Sequence, residues 1–110
     1  MNDLIDKKCV PCIGGTKPLG PVETDALRRS VNVAWTITAD HKSLQRAYKF
    51  KDFYYTMSFM GALAHLANSE DHHPDVRLGY NYCDVTFTTH AIGGLSVNDF
   101  ICAAKLDRIP

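Results

Sequence analysis

The sequence has no surplus charge of either sign. Twelve Lys and Arg offset twelve Asp and Glu, so the basic excess that neutralises phosphates is missing, and with it the electrostatic footprint of direct nucleic-acid binding. Long hydrophobic runs are also missing. The longest apolar stretch, Phe59–Ala64, stops at His65, far short of the ~20 residues that span a bilayer. The first eight residues mix acids with bases and contain no apolar core. They are expected not to act as a signal peptide, which makes the cytoplasm the expected location, with the nucleus not distinguished from it. Cysteine is sparse: Cys9, Cys12, Cys83 and Cys102. Disulfides are not expected in a chain without an export signal. Cys83 and Cys102 lie in patterned segments and read as buried small hydrophobes. The pair Cys9-x-x-Cys12 has no second pair to complete a four-ligand zinc site and no strand–motif–helix context for redox work. It reads as a loop feature.

What the chain does have is apolar content. Hydrophobic residues make up 45% of 110, enough to fill the core of one domain spanning residues 1–110 and too many for a disordered polymer. Residues 1–21 are dense in breakers (Pro11, Gly14, Gly15, Pro18, Gly20, Pro21) and read as an irregular lead-in. Thr24 is expected to cap a short helix running to about Asn32. Trp35–Thr38 alternates apolar and hydroxyl side chains, and Leu44, Arg46, Tyr48 and Phe50 follow at period two, which predicts a hairpin. From Asp52 to about Ser69 the period lengthens. Phe53, Met57, Met60, Ala64 and Ala67 define one face of a long helix, widened by Phe59, Leu63 and Leu66. Pro74 forbids its continuation. Strands are expected over 76–80 and 83–90, and Ser96-Val97-Asn98-Asp99 has the form of a capping box opening a last helix. The order α-β-β-α-β-β-α is that of an α+β domain: a four-stranded antiparallel sheet with three helices packed on one face.

The chemistry concentrates at one end of that sheet. Asp71-His72-His73-Pro74 follows the long helix, and His90 closes the last strand on the face of Thr86 and Thr88. Antiparallel pairing of the two last strands brings the start of one beside the end of the other, so all three imidazoles reach the same sheet end. Three functions suit such a cluster. One is proton transfer by the imidazoles themselves, whose ordinary pKa of ~6.5 populates both protonation states at neutral pH. The second is a metal site in which Asp71 or Asp99 joins the histidines, although the helical H-E-x-x-H spacing is absent. The third is an interaction module in which a sheet edge or the long helix docks a partner and the histidines are incidental. Asp99 also reads as the reach-back residue of the Ser96 capping box.

Taken together, Asp71-His72-His73-Pro74, Tyr80, His90 and Asp99, separated by five, nine and eight residues after the proline, resemble the signature of the pterin-4a-carbinolamine dehydratases. Phe50–Phe53, Thr88–Leu95 and the early Cys9–Gly15 are similar to that family as well, so the likeness runs from about Leu4 to Asp107. One departure is Val76, where many members carry tryptophan. The resemblance implies a hydro-lyase that expels water from 4a-hydroxytetrahydrobiopterin to give quinonoid dihydropterin, recycling the pterin cofactor of aromatic hydroxylation. It implies His72, His73 and His90 as catalytic residues. The same histidines with Asp71, Thr88, Thr89 and Ala91 would bind the pterin. It further implies a homodimer or homotetramer, with no metal and no organic cofactor. Some animal members bind a homeodomain transcription factor; that partner attaches to this chain by family likeness alone.

Overall fold

The computed structural model describes residues 4–109; Met1–Asp3, on which part of the signal-peptide reading falls, and Pro110 lie outside the described residues. Three helices alternate with two pairs of strands: α1 (Pro21–Arg28), β1 (Thr36–Ile37), β2 (Leu44–Lys49), α2 (Phe53–Glu70), β3 (Asp75–Leu78), β4 (Tyr82–Phe87) and α3 (Val97–Leu106). Single 3-10 turns at Leu4–Asp6 and His90–Ile92 complete the order. The four strands form one antiparallel sheet, as the α-β-β-α-β-β-α pattern predicts, with the strand order β1-β2-β4-β3.

Side-chain alternation assigns the two faces of this sheet. Leu44 on β2 and Cys83, Val85 and Phe87 on β4 are fully buried beneath the helices, while Gln45, Ala47 and Lys49 face outward. Cys83 and Cys102 both belong to the core. α3 is buried along almost its whole length, from Asn98 to Ala104. Trp35, fully buried, donates from Nε1 to Asp107 Oδ1 at 2.7 Å, and Arg46 pairs with the same oxygen at 3.0 Å. Val76, on β3, packs against the core edge.

Two expectations shift. α1 starts at Pro21, with Gly20 as N-cap and Glu23 accepting the Gly20 N–H at 2.9 Å. Proline suits this first position because its missing N–H is not needed there and its φ is already helical. Thr24 is therefore not the cap. It is buried in the first turn and donates its hydroxyl to the Pro21 carbonyl. The second shift is the phase of α2. Its buried face is Thr56, Phe59, Leu63, Ala67 and Glu70, whereas Phe53 and Met57, expected inside, are 46% and 41% exposed. Apolar residues surround much of this helix, so their period alone does not select one face. The choice is made by partners distant in sequence: Phe59 packs against the Tyr48 ring at 4.4 Å and the Phe50 ring at 5.2 Å. The Thr56 hydroxyl meanwhile reaches the Tyr80 carbonyl.

Glu70, at the end of α2, ties the lead-in to the domain. Its Oε1 accepts the Cys9 N–H at 2.9 Å and its Oε2 receives Lys105 Nζ at 2.6 Å, with Lys8 Nζ at 4.0 Å. Burial alone would raise this carboxyl. The hydrogen bonds from Lys105 and Cys9 and the two lysine charges outweigh it, holding Glu70 below its usual 4.5. A lowered folded-state pKa contributes stability above the unfolded value that is lost as pH falls through the folded one. Glu70→Gln is accordingly expected to be less stable than the native chain at pH 7, with the gap closing below pH 4.5. Urea midpoints across that range check this; a gap independent of pH would remove the carboxylate from the anchor.

Candidate active site

The site begins with the way α2 ends. Asp71 adopts the left-handed conformation (φ 51°, ψ 42°), a region that aspartate tolerates better than most side chains. The chain reverses there, and the His72 N–H returns to the Ala67 carbonyl at 3.1 Å, closing the helix. This turn sends two adjacent imidazoles to different surroundings. His72 goes inward: its ring lies parallel to Phe87 at 6.1 Å, and its Nε2 stands 2.7 Å from Asp99 Oδ1. An ionised carboxylate only accepts, so this nitrogen carries the proton. His73 stays at the surface with Nε2 3.0 Å from Asn68 Oδ1.

The opposite wall comes from the segment after β4. The strand stops at Phe87, so His90 does not close it. Instead His90 opens the 3-10 turn His90–Ile92, which ends at Gly93 in the left-handed region (φ 67°) that favours glycine. A bridge between Thr89 and Gly94 pins the base of this loop. Thr88 donates its hydroxyl to the Lys42 carbonyl at 2.6 Å, whereas Thr89 is buried and donates to Asp99 Oδ2 at 2.8 Å. His90 is exposed, with Nε2 3.6 Å from Asp75 Oδ2. The pairing Asp75↔Thr86 sets the start of β3 beside the end of β4, which is the juxtaposition expected from the topology.

Asp99 joins these two walls. Fully buried, it takes His72 on one oxygen and both the Thr89 hydroxyl and the Ser96 N–H on the other. The capping-box role expected for it is present, but the same carboxylate also holds an imidazole. The capping pattern was visible in the sequence. The second role required knowing that residues 72 and 89 lie over the start of α3.

An open cavity of about 240 Å³ lies between these walls, lined by Asp71, His72, His73, Thr88, Thr89, His90 and Ala91, the seven residues expected at the site. Four further lining residues were not anticipated: Val10, Pro11 and Cys12 of the lead-in, and Asn98 of α3. Asn98 accepts the Val10 N–H at 3.1 Å and donates to the Val10 carbonyl at 2.6 Å. Cys9 turns away from the cavity, its sulfur 3.6 Å from that of Cys102. The hydrogen bond with Cys9 and burial push the Cys102 thiol well above its usual range. The sequence signals for this wall were the C-x-x-C and the likeness of Cys9–Gly15 to the family, and neither reveals what the segment packs against. Among the described residues no three His, Cys, Asp or Glu side chains are grouped so as to hold a metal ion. The three imidazoles are engaged separately, by Asp99, Asn68 and Asp75. No helix among the described residues is long and apolar enough to cross a membrane.

Comparison with known proteins gives this arrangement a family. The family model for pterin 4 alpha carbinolamine dehydratase matches residues 17–109. A protein of Nitrosomonas eutropha, provisionally named a pterin-4-alpha-carbinolamine dehydratase, is 50% identical over 97% of this chain and 93% of its own length. A Legionella pneumophila (strain Lens) protein with the same provisional name is 47% identical over 98% of this chain and 96% of its own. Among solved structures, a transcriptional coactivator/pterin dehydratase from Brucella Melitensis superposes with a TM-score of 0.76 at 32% identity, covering 82% of this chain and 95% of that one. With Asp71, His72, His73 and His90 of that signature lining one cavity and these relatives matching nearly end to end, the chain belongs to the pterin 4 alpha carbinolamine dehydratase family and is a dehydratase.

Proposed function

We propose that the cavity binds the bicyclic ring of 4a-hydroxytetrahydrobiopterin and that its histidines catalyse loss of water by general acid–base chemistry, recycling the pterin cofactor in the cytoplasm. The observation that supports this reading is the gathering of three imidazoles and their neighbours around one open cavity. The lone pair of the ring nitrogen next to C4a expels the 4a-oxygen. Hydroxide is a poor leaving group, so one imidazolium delivers a proton to that oxygen as the C–O bond breaks. A neutral imidazole takes a proton from the ring, and the proton count closes. His73 and His90, both at the cavity surface, carry the transfers at the 4a-oxygen. His72, fixed by Asp99, positions the ring and assists the second proton movement, with Asp71, Thr88, Thr89 and Ala91 completing the binding surface. Among the described residues no lysine or arginine lines the cavity, which suits an uncharged heterocycle better than a phosphorylated one. The test is stopped-flow decay of the carbinolamine with and without purified protein; a decay rate unchanged by saturating protein overturns the reading.

A homodimer or homotetramer forms part of this proposal. The first turns of α2 expose Phe53, Tyr54, Tyr55 and Met57, and Phe50, Tyr55, Phe59 and Ile109 line an apolar groove beside them. A second copy of the chain burying this face gains the hydrophobic contribution of about 25 cal/mol per Å². Light scattering is expected to return two or four chain masses, and Tyr54→Glu to lower that number.

A further inference from the structure

The family model starts at residue 17, yet residues 10–12 line the cavity. This segment is held there by several independent contacts. Asn98, buried at the start of α3, grips Val10 through both its backbone N–H and its carbonyl, and its Nδ2 also lies 3.5 Å from Cys12 Sγ. Upstream, the Cys9 N–H is fixed on Glu70. Downstream, the Leu19 N–H donates to the Leu95 carbonyl at 2.9 Å. Pro18 packs so closely on Gly94 that a Cβ there would meet the proline ring at 2.8 Å. A segment this anchored does not drift across an open cavity as a free terminus does.

We infer that Val10–Cys12 is a substrate-contacting wall of the dehydratase pocket and that Asn98 is the positioning residue that holds it in place. This rests on the pterin reading above and deepens it. Val10 and Pro11 offer apolar surface and Cys12 a thiol. They suit the face of a neutral pterin ring, while the histidine walls supply the polar contacts. Asn98 touches the pocket beside this segment but has no proton to exchange at neutral pH. Its loss acts on binding far more than on the chemical step.

Cys12 is a built-in reporter, since it lines the cavity and is half-buried. The experiment measures N-ethylmaleimide modification of the full chain by mass spectrometry, with and without saturating 7,8-dihydrobiopterin whose binding is followed separately by fluorescence. Bound pterin is expected to slow alkylation of Cys12 roughly tenfold, and that of Cys9, on the far side of the segment, less than twofold. In a parallel measurement, Asn98→Ala is expected to raise KM by roughly tenfold, as for a lost pocket contact, with kcat within about twofold. Pterin that binds while Cys12 reacts at its free rate overturns the wall. Absence of pterin binding by the native chain overturns the dehydratase reading and the wall with it. The alkylation measurement needs no variant, so a poorly folding Asn98→Ala does not weaken the test.

Discussion

His73→Ala is expected to slow carbinolamine dehydration by roughly 10²–10⁴-fold, the usual worth of a positioned general acid–base group, while leaving the fold intact. His73 sits at the surface, where its side chain meets the amide of Asn68, five residues back. Removing it opens no cavity and strands no buried polar group, so its stability effect falls within the ±0.5 kcal/mol typical of surface changes. Stopped-flow kinetics and a thermal melt on the same preparation separate the two quantities. A rate within a factor of three of the native enzyme removes His73 from proton transfer and shifts that role to His90. A variant both slow and several degrees less stable would mark His73 as structural instead.

Asp99→Ala is expected to show the opposite profile. This carboxylate is fully buried and satisfies the His72 ring, the Thr89 hydroxyl and the Ser96 N–H together. Deleting it leaves the His72 ring and the Ser96 N–H without their acceptor and the Thr89 hydroxyl with only Ser96 Oγ, at 2.7 Å. Leaving such donors unsatisfied costs about 1–3 kcal/mol each, about 2–6 kcal/mol for the two, which for a domain near this size is a fall in Tm of roughly 8–35 °C. Asp99→Asn keeps the shape. It presents donors where one of the three groups needs an acceptor, and a cost nearer 1–3 kcal/mol follows. Activity should fall in both variants, because His72 loses the partner that fixes its tautomer and orientation. Calorimetry and the dehydration assay check the pair; an alanine variant melting within about 3 °C of the native chain would show that the carboxylate does not organise the site.

The comparison of these two residues indicates where sequence reasoning succeeds. His73 was identifiable because the adjacent histidines, the proline and the spacing to His90 and Asp99 are properties of chain order. The antiparallel pairing of β3 with β4 then required both histidine segments to share one end of the sheet. Asp99 was half legible. Its place three residues after Ser96 marked a capping box, but nothing local indicated that its second oxygen would meet His72, twenty-seven residues away. Thr24 shows a local rule misapplied: a good capping residue lost the role to Gly20 because Pro21 is itself well suited to the first helical position.

Chain order and side-chain periodicity by themselves determined the α+β class, the alternation of helices and strand pairs and the neutral charge balance, while the resemblance to a family signature supplied the seven residues around the cavity. These depend on neighbours within a few positions or on a spaced signature. Tertiary structure alone decided which side of α2 turns inward, the joint role of Asp99 and the folding of the lead-in into a pocket wall. Each of those is settled by contacts between segments far apart along the chain. The sequence supplies both partners of such a contact without stating that they meet, since the free energy that selects it exists only once the intervening elements have packed.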